Sequence, residues 1–395
     1  MNASTKPTAA LLSVFFLWLA TSFSGTAQEA SGTRPEADPS AALFGGPGLV
    51  FELQVSEEGI ASLRRKPREN VAADLTVGAD KWVVAVRIKG SAGSVKPVDD
   101  RPALSIDCDK LVEGQRIFGL KRFYLNNSAQ DLARMHECLA YEFHTRLGIP
   151  VARVTHALVK LNGRELGVYV LKEGYDKTFL GRHFAKKSGN LYDAPLGKDV
   201  TDDLELDSGK EPADYADLKA LRAAIAEPDL ARRLAMFERC LELEHFIAMT
   251  ALQAFTADWD GYCYGANNYR IYVPPETGRA VFIPCGMDQL FQRDPWPLDT
   301  PFKGGVAKAL FAIPSQQKRL RETMLRVQRE IFTPARLSES FAPHQARLKQ
   351  LLEKVSEEEA KRVINFATSV RDRTLARSVT TAHLLGLEAP VVKKP

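Results

Sequence analysis

The spacing of apolar residues changes along the chain near Glu173, and this change limits the fold more than any other feature. Before Glu173, short runs such as Trp82–Lys89 are rich in apolar and β-branched residues, which is typical of strands. The Asn162-Gly163 pair between Val154–Leu161 and Gly167–Glu173 predicts a β-hairpin. After Glu173, apolar residues mostly recur every three or four positions, which indicates helices. Strands followed by helices are typical of an α+β fold.

One amphipathic helix is predicted inside the β-rich part of the chain. Ser128 and Asp131 resemble a capping box, and the apolar residues of Leu132–Leu147 then step by three or four positions. We therefore predict a β-rich region with one helix at 47–173 and a helical region at 174–395.

The first residues of the chain are typical of an export signal. Residues 1–27 contain Lys6, the apolar run Leu11–Ala20 and small residues up to Ala27, so cleavage after Ala27 is expected. An uncleaved anchor is the alternative, although the run is shorter than the ~20 residues of a membrane-spanning helix. Residues 28–46 are rich in Ala, Ser, Gly, Pro and Glu and are predicted to form a flexible linker. We expect a protein exported to the periplasm, cell surface or medium, with no stable membrane span after cleavage.

The composition of the 395-residue chain excludes several classes of protein. Hydrophobic residues make up 45% and charged residues 26%, so disorder throughout the chain is excluded. The formal net charge of +4 is too small to indicate a nucleic-acid partner. The cysteines lack zinc-site spacing and are interpreted as small buried side chains, with a Cys263–Cys285 pair as the alternative. The five cysteines are Cys108, Cys138, Cys240, Cys263 and Cys285.

The densest group of polar side chains flanks the predicted hairpin between residues 258 and 288. The hairpin could bring Asp260, Asn268 and Asp288 into one small volume, with Asn267 beside Asn268 in the sequence. Carboxylate and amide oxygens suit Mg²⁺ or Mn²⁺, and one spare carboxylate could orient a nucleophile. The group therefore favours a metal–phosphate site or a carboxylate hydrolase site.

Two other interpretations of these residues remain open. Each aspartate could instead cap a turn that an asparagine supports. Asp258-Trp-Asp260 could also be the metal-binding motif of a glycosyltransferase, but the preceding sequence is helical, where such an enzyme needs a strand and a loop.

The β-rich region supplies a complementary set of polar groups. The turn that contains Gly90, Ser91 and Gly93 could present backbone N–H groups to a phosphate. Arg101 could bind an anion, and Glu137 in the predicted helix could pair with it. Taken one at a time, these features are equally compatible with a plain turn and a surface ion pair.

Several stretches in this order resemble the CotH family of spore-coat-type atypical protein kinases, from about Leu53 to Phe291. The matching stretches include Arg87-Ile-Lys-Gly90, Arg101-Pro-Ala-Leu-Ser-Ile106, Leu125-Asn-Asn-Ser128, Gly148-Ile-Pro-Val-Ala-Arg153, Gly189-Asn-Leu-Tyr192 and the block from Asp260 to Asp288. The resemblance implies a kinase-like two-lobed fold that transfers the γ-phosphate of ATP, with Mg²⁺ or Mn²⁺, to a Ser or Thr hydroxyl of an exported protein.

The resemblance also implies roles for single residues. Asp260 would be the catalytic base, and Asp288 with Asn268, and with Asn267 as a further candidate, would bind the metal. Glu137 would hold the basic residue that contacts the nucleotide phosphates. The residues expected to bind the nucleotide are Gly90, Ser91, Gly93, Arg101 and Glu173.

Two positions depart from the family pattern. Arg101 stands where a phosphate-contacting lysine is typical, so Lys89 or Lys96 is an alternative for that role. Asp258 stands where many relatives have a histidine. An inactive pseudokinase that serves as a cell-envelope or coat assembly protein is therefore the second hypothesis.

Overall fold

A closed barrel of seven strands contains all the predicted strands of the β-rich region. The strand order is β1-β2-β3-β4-β5-β7-β6, and the parallel pairing of β1 with β6 closes the barrel. All other neighbours in the barrel are antiparallel. The strands are β1 Leu49–Gln54, β2 Val71–Val77, β3 Asp80–Lys89, β4 Ala103–Asp107, β5 Arg122–Asn126, β6 Val154–Leu161 and β7 Arg164–Glu173.

The computed structural model describes Met1 and residues 38–91, 93–210, 214–293, 295–388 and 390. Apart from Met1, the predicted signal peptide lies outside the described residues, as does the predicted linker before Asp38. The described end of that linker forms a short helix, α1 (Ala41–Gly45), in which Leu43 is buried. No helix among these described residues has both the length and the apolar character needed to cross a membrane.

Alternation along the strands sends neighbouring side chains to opposite sides of the barrel wall. In β7, Tyr169 and Leu171 pack inside the barrel, whereas Val168 packs against the helical core outside. Lys172 lies four residues after Val168 on the same strand, so its side chain also lies on the outer face. The turn Asn162-Gly163 between β6 and β7 has φ values of 48° and 76°, as a two-residue hairpin turn requires, and this prediction is confirmed.

The helix predicted after Ser128 begins later than the sequence indicates. Helix α3 spans His136–Arg146, and Ser128 itself has a φ of 53°, which is incompatible with a helix N-cap. Asp131 supplies a bond at the true start, because its carboxylate accepts the backbone N–H of His136 at 2.9 Å. Helix α2 (Glu57–Arg65) also belongs to this region, so its described residues contain two helices and not one.

The second half of the chain is less purely helical than predicted. It contains a four-stranded antiparallel sheet with the order β11-β10-β8-β9. Its strands are β8 Asn190–Asp193, β9 Glu205–Ser208, β10 Tyr269–Val273 and β11 Val281–Pro284. The sequence indicated only the hairpin of β10 and β11, because β8 and β9 are too short to show a periodic pattern.

The helices after residue 173 enclose the larger hydrophobic core, and almost every residue of α7 is buried in it. The single helix predicted at 229–257 is two helices, because Glu242 and Cys240 bond to Ala280 at the break. The helices are α4 Lys177–His183, α5 Ala216–Ala226, α6 Leu230–Cys240, α7 Leu243–Phe255, α8 Tyr262–Gly265, α9 Gly305–Phe311, α10 Pro314–Glu330, α11 Pro334–Leu352 and α12 Glu357–Leu384. The described chain therefore has a mixed α+β fold.

Candidate functional site

A cleft of about 560 Å³ lies between the outer face of the barrel and the loops around β10 and β11. The barrel side is formed by residues of β3, β4, β5 and β7 that alternate outward from the barrel core. The cleft-lining residues discussed below are Lys89, Gly90, Ser91, Asn126, Glu137, Lys172, Asp260, Asn267, Asn268, Gly286 and Asp288.

Lys172 and Glu137 form a buried ion pair on the barrel side of the cleft. The Nζ atom of Lys172 lies 2.5 Å from Oε1 of Glu137, and Asn126 donates its Nδ2 hydrogen to Oε2 of the same carboxylate at 2.6 Å. Burial opposes the charged form of Glu137, but the Lys172 ammonium outweighs it and holds the pKa of Glu137 below its ordinary value. Both groups are therefore charged at neutral pH, and α3 is tied to β7.

Lys89 adds a second ammonium group beside this pair. Its Nζ donates to Oδ1 of Asn126 at 2.5 Å and lies 5.1 Å from the centre of the Tyr124 ring. Burial lowers the pKa of Lys89 to about 8; Glu137 opposes this effect, and the Lys172 charge adds to it. Two basic side chains thus face the cleft beside one carboxylate, Lys172 bonded to it directly and Lys89 through Asn126.

Asp260 lies on the opposite side of the cleft, held by two amide groups. Asn267 donates its Nδ2 hydrogen to Oδ1 of Asp260 at 3.1 Å, and Asn268 donates to Oδ2 at 2.8 Å. The one-turn helix α8 between them brings the three side chains together, so the predicted meeting of Asp260 with Asn268 is found in the structure. Because both carboxylate oxygens accept a bond, the orientation of Asp260 is fixed.

Gly286 and Asn268 connect Asp260 to the segment that carries Asp288. Asn268 donates to the carbonyl oxygen of Gly286 at 3.3 Å, and its own carbonyl accepts the N–H of Cys285 at 3.0 Å. Gly286 has a φ of 59°, and a Cβ atom there would lie 2.5 Å from Oδ1 of Asn268. This position therefore requires glycine for both backbone and packing reasons.

Buried carboxylates accumulate on this side of the cleft. Burial raises the pKa of Asp288 to about 7, and the charges of Glu137 and Asp131 add to the rise. Burial likewise raises the pKa of Asp258 to about 7, with further contributions from Asp260 and Asp288. A site where carboxylates repel one another in this way is stabilised by a bound cation.

Arg101 is not brought to Glu137, so the predicted pair of these two residues was wrong. Its Nη2 donates to the carbonyl oxygen of Val168 at 2.8 Å, and its Nη1 lies 3.5 Å from Oε1 of Glu359. Val168 precedes Lys172 by four residues on β7, which is about 13 Å along a strand. Arg101 is absent from the described residues that line the cleft.

Glu173 and Gly93 also lie outside the cleft lining, as does Lys96. Glu173 follows Lys172 and therefore points the opposite way, where it is buried and accepts hydrogen bonds from Arg153 and Arg182. Gly90 and Ser91 do line the cleft, but the N–H of Ser91 is already bonded to the Ser94 hydroxyl at 3.1 Å.

Sequence analysis missed Lys172 and Asn126. The signal for both was the two-residue alternation of their strands, which places them on the outer face together with Lys89. The pattern alone does not say which outward residues line the cleft, because that depends on the packing of α3.

Two comparisons with known proteins agree with the resemblance seen in the sequence. The model of a family described as CotH kinase protein matches residues 86–371. Inner spore coat protein H of Bacillus subtilis (strain 168) is 25% identical over 190 residues, which are 45% of this chain and 51% of that protein. The match thus spans about half the length of this curated relative.

Proposed function

The chain belongs to the CotH family, and on that premise we propose that it is an exported atypical protein kinase with a two-lobed, kinase-like arrangement. It transfers the γ-phosphate of ATP to a Ser or Thr hydroxyl of a protein. The observation that carries this proposal is the position of the Lys172–Glu137 pair, which faces Asp260 and Asp288 across one cleft. Phosphoryl transfer depends on such positioning and neutralisation of charge more than on covalent help from the protein.

The size and charge of the cleft suit a nucleotide. Its volume of about 560 Å³ lies within the range of ~300–1,000 Å³ that is typical of small-molecule sites. Lys172 and Lys89 place two cationic groups on the barrel side, where they bind the phosphates. Glu137 holds Lys172 in place. The family resemblance implies this role for Glu137, which is to hold the basic residue that contacts the nucleotide phosphates.

The loop side of the cleft fits Mg²⁺ or Mn²⁺. Asp288 offers a carboxylate, and Asn268 and Asn267 offer amide oxygens, because their amide nitrogens are directed at Asp260. These are hard oxygen donors that such ions prefer. A bound divalent ion neutralises the charge that develops on the phosphoryl oxygens.

Asp260 accepts the proton of the attacking hydroxyl in this proposal. Its two amide partners fix the carboxylate in one orientation, as a general base needs. The residues that hold Asp260 are the same ones that offer oxygen atoms to the metal, so base and metal are positioned together.

The alternative of an inactive assembly protein rested on Arg101 at the position of the phosphate-contacting lysine. Lys172 supplies a lysine beside Glu137 instead, so the identity of residue 101 is not a reason to expect an inactive site. We propose export because residues 1–27 are typical of a signal peptide, and the relative is named as a spore coat protein.

Binding and transfer are tested separately on the purified protein. ATP should raise the melting temperature only with Mg²⁺ or Mn²⁺, because a ligand of the folded state stabilises it by mass action. Asp288→Ala should remove this shift, whereas Asp109→Ala, a surface change outside the cleft lining, should keep it. Transfer of labelled γ-phosphate to casein or to the chain itself should be lost in Asp260→Ala. A protein that binds no ATP with either metal would contradict the proposal.

A further inference from the structure

Three side chains with metal-binding atoms meet where α3, β6 and α11 pack together. Cys138 lies in α3, His156 in β6 and His344 in α11, and their exposed fractions are 0%, 1% and 3%. Within the described part of the chain, they are the one His/Cys/Asp/Glu group of three or more whose ligand atoms all lie within 4.8 Å. None of the three lines the nucleotide cleft.

The geometry of the group is close to that of a tetrahedral site. The Sγ atom of Cys138 lies 3.6 Å from Nε2 of His156. Two ligands of a tetrahedral zinc ion, at about 2.3 Å for sulfur and about 2.0 Å for nitrogen, lie about 3.5 Å apart. The remaining separations, of at most 4.8 Å, must close by up to about 1.5 Å for a tetrahedral ion, which requires side-chain rotations.

His344 has a carboxylate partner at one of its ring nitrogens, as metal-binding histidines usually do. Its Nε2 atom lies 3.1 Å from Oε1 of Glu142, whereas its buried Nδ1 atom has no hydrogen-bond partner among the described residues. A carboxylate at one ring nitrogen fixes the tautomer and leaves the other nitrogen as a metal ligand. A buried nitrogen without a partner is costly unless a ligand binds it.

His156 carries the same kind of unsatisfied atom. Its Nδ1 is buried with no partner in the described chain, while Nε2 contacts the carbonyl oxygen of Arg134 at 2.7 Å. An ion bound at Nε2 must displace that hydrogen bond, and one bound at Nδ1 leaves it intact. Of the two nitrogens, Nε2 is the one that lies 3.6 Å from the Cys138 thiol.

A second cavity borders the cluster at His344. It has a volume of about 480 Å³ and is lined by His344 and Glu142, together with Tyr141 and Val154 of the neighbouring elements. Water in this cavity can serve as a fourth ligand. Of the three ligands, His344 borders this cavity, whereas Cys138 and His156 lie behind it in the protein interior.

We propose that Cys138, His156 and His344 form a transition-metal site that binds Zn²⁺. One thiolate and two imidazoles suit zinc, whereas Mg²⁺ and Mn²⁺ prefer the oxygen donors of the cleft. On binding, the Cys138 thiol releases its proton to solvent as the sulfur–zinc bond forms. The ion fastens α11 to α3, the helix that carries Glu137, and so stiffens one wall of the cleft from behind.

Metal binding by the chelator-treated protein tests this site directly. Zn²⁺ titration should give one equivalent bound per chain and a higher melting temperature. Co²⁺ should give the near-ultraviolet absorption of a thiolate–cobalt bond. Cys138→Ser and His344→Gln should each weaken Zn²⁺ binding at least ten-fold and, for Cys138→Ser, remove the thiolate absorption.

Two controls separate this site from other cysteines and from the proposed kinase activity. Cys240→Ser changes another buried thiol and should keep the Zn²⁺ stoichiometry and the cobalt spectrum. Asp288→Asn should lose metal-dependent ATP binding but keep Zn²⁺, so the two proposals fail independently. A folded wild-type protein that binds neither Zn²⁺ nor Co²⁺ would overturn the site. So would a thiolate–cobalt spectrum that persists in Cys138→Ser. If that variant does not fold, His344→Gln and the wild-type spectrum decide.

Discussion

The Nζ atom of Lys172 and the Oε1 atom of Glu137 are 2.5 Å apart, in a pair whose side chains are only 6% and 3% exposed. Each partner removes the cost of burying the other, so the pair holds only while both are charged. The carboxylate also accepts a bond from Asn126 of β5. Two barrel strands and α3 therefore meet at one carboxylate, and any movement of α3 away from the barrel displaces Lys172.

Lys172→Met should reduce phosphate transfer at least 100-fold and also destabilise the fold. The loss of the ammonium leaves Glu137 buried without its ion-pair partner, which typically costs about 3–5 kcal/mol. The double variant Lys172→Met/Glu137→Gln should recover most of the stability but none of the activity. Urea unfolding and steady-state transfer rates measure the two effects separately.

Arg101→Lys is the companion to Lys172→Met, because Arg101 was the other candidate for contacting the phosphates and lies away from the cleft. ATP affinity and transfer rate should stay within about two-fold of wild type. If Arg101→Lys lost ATP binding while Lys172→Met kept it, the assignment of the phosphate-contacting residue would have to be reversed.

Gly286→Ala should reduce transfer at least ten-fold, because the new methyl group would lie against Oδ1 of Asn268. Moving that amide weakens its bond to Asp260 and shifts a proposed metal ligand. Gly278→Ala is the control, since its φ is 64° but nothing lies within 4 Å of the added carbon. Both changes carry the same backbone cost of about 1–2 kcal/mol. Equal activities in the two variants would show that the Asn268 contact has no catalytic importance.

The strands and the loop half of the site could be predicted from the sequence because their signals are local. Residues 71–77 show a strand pattern with turn residues on either side, and β2 has these bounds. Asp260, Asn267 and Asn268 are separated only by the short helix α8, so their meeting follows from a tight local turn. The hairpin of β10 and β11 then returns the chain to the segment of Asp288.

The barrel half of the site could not be predicted as well, because it depends on distant packing. The choice between Arg101 and Lys172 as partner of Glu137 is decided by where α3 lies on β7. The start of α3 was itself misplaced, since Ser128 and Arg134 both have left-handed φ values that a pattern of apolar residues does not reveal. Closure of the barrel by β1 and β6 is likewise a contact between distant segments.

Glu359→Ala should lower the free energy of unfolding by about 2–3 kcal/mol, somewhat less than for a fully buried pair because Glu359 is 18% exposed. Glu359 accepts a hydrogen bond at 2.8 Å from Arg134, whose side chain is 1% exposed. Without this partner, α12 loses its bond to the segment before α3. Glu358→Ala, at the exposed neighbouring position, should change stability by less than about 0.5 kcal/mol. Similar urea midpoints for the two variants would contradict a stabilising role for the pair.

His144 should make the protein less stable as the pH falls from about 6.5 to 4. The side chain is 3% exposed, and its Nδ1 lies 2.7 Å from the carbonyl oxygen of Ala140. Burial lowers the pKa of His144 to about 4, and the bond to Ala140 only partly opposes this effect. Between pH 4 and 6.5 the unfolded chain therefore binds a proton that the folded chain does not. The stabilisation is complete above pH 6.5 and is lost as the pH falls through 4.

His144→Gln should remove this part of the acid sensitivity, because glutamine can donate to the Ala140 carbonyl without taking up a proton. A pKa decrease of this size corresponds to about 3 kcal/mol. Between pH 7 and 4, wild type should lose about that much more unfolding free energy than the variant, measured by urea with a chelator present. His383→Gln, at an exposed position, should follow the wild-type curve. Parallel curves for wild type and His144→Gln would mean that His144 takes up its proton in the folded protein as readily as in the unfolded chain.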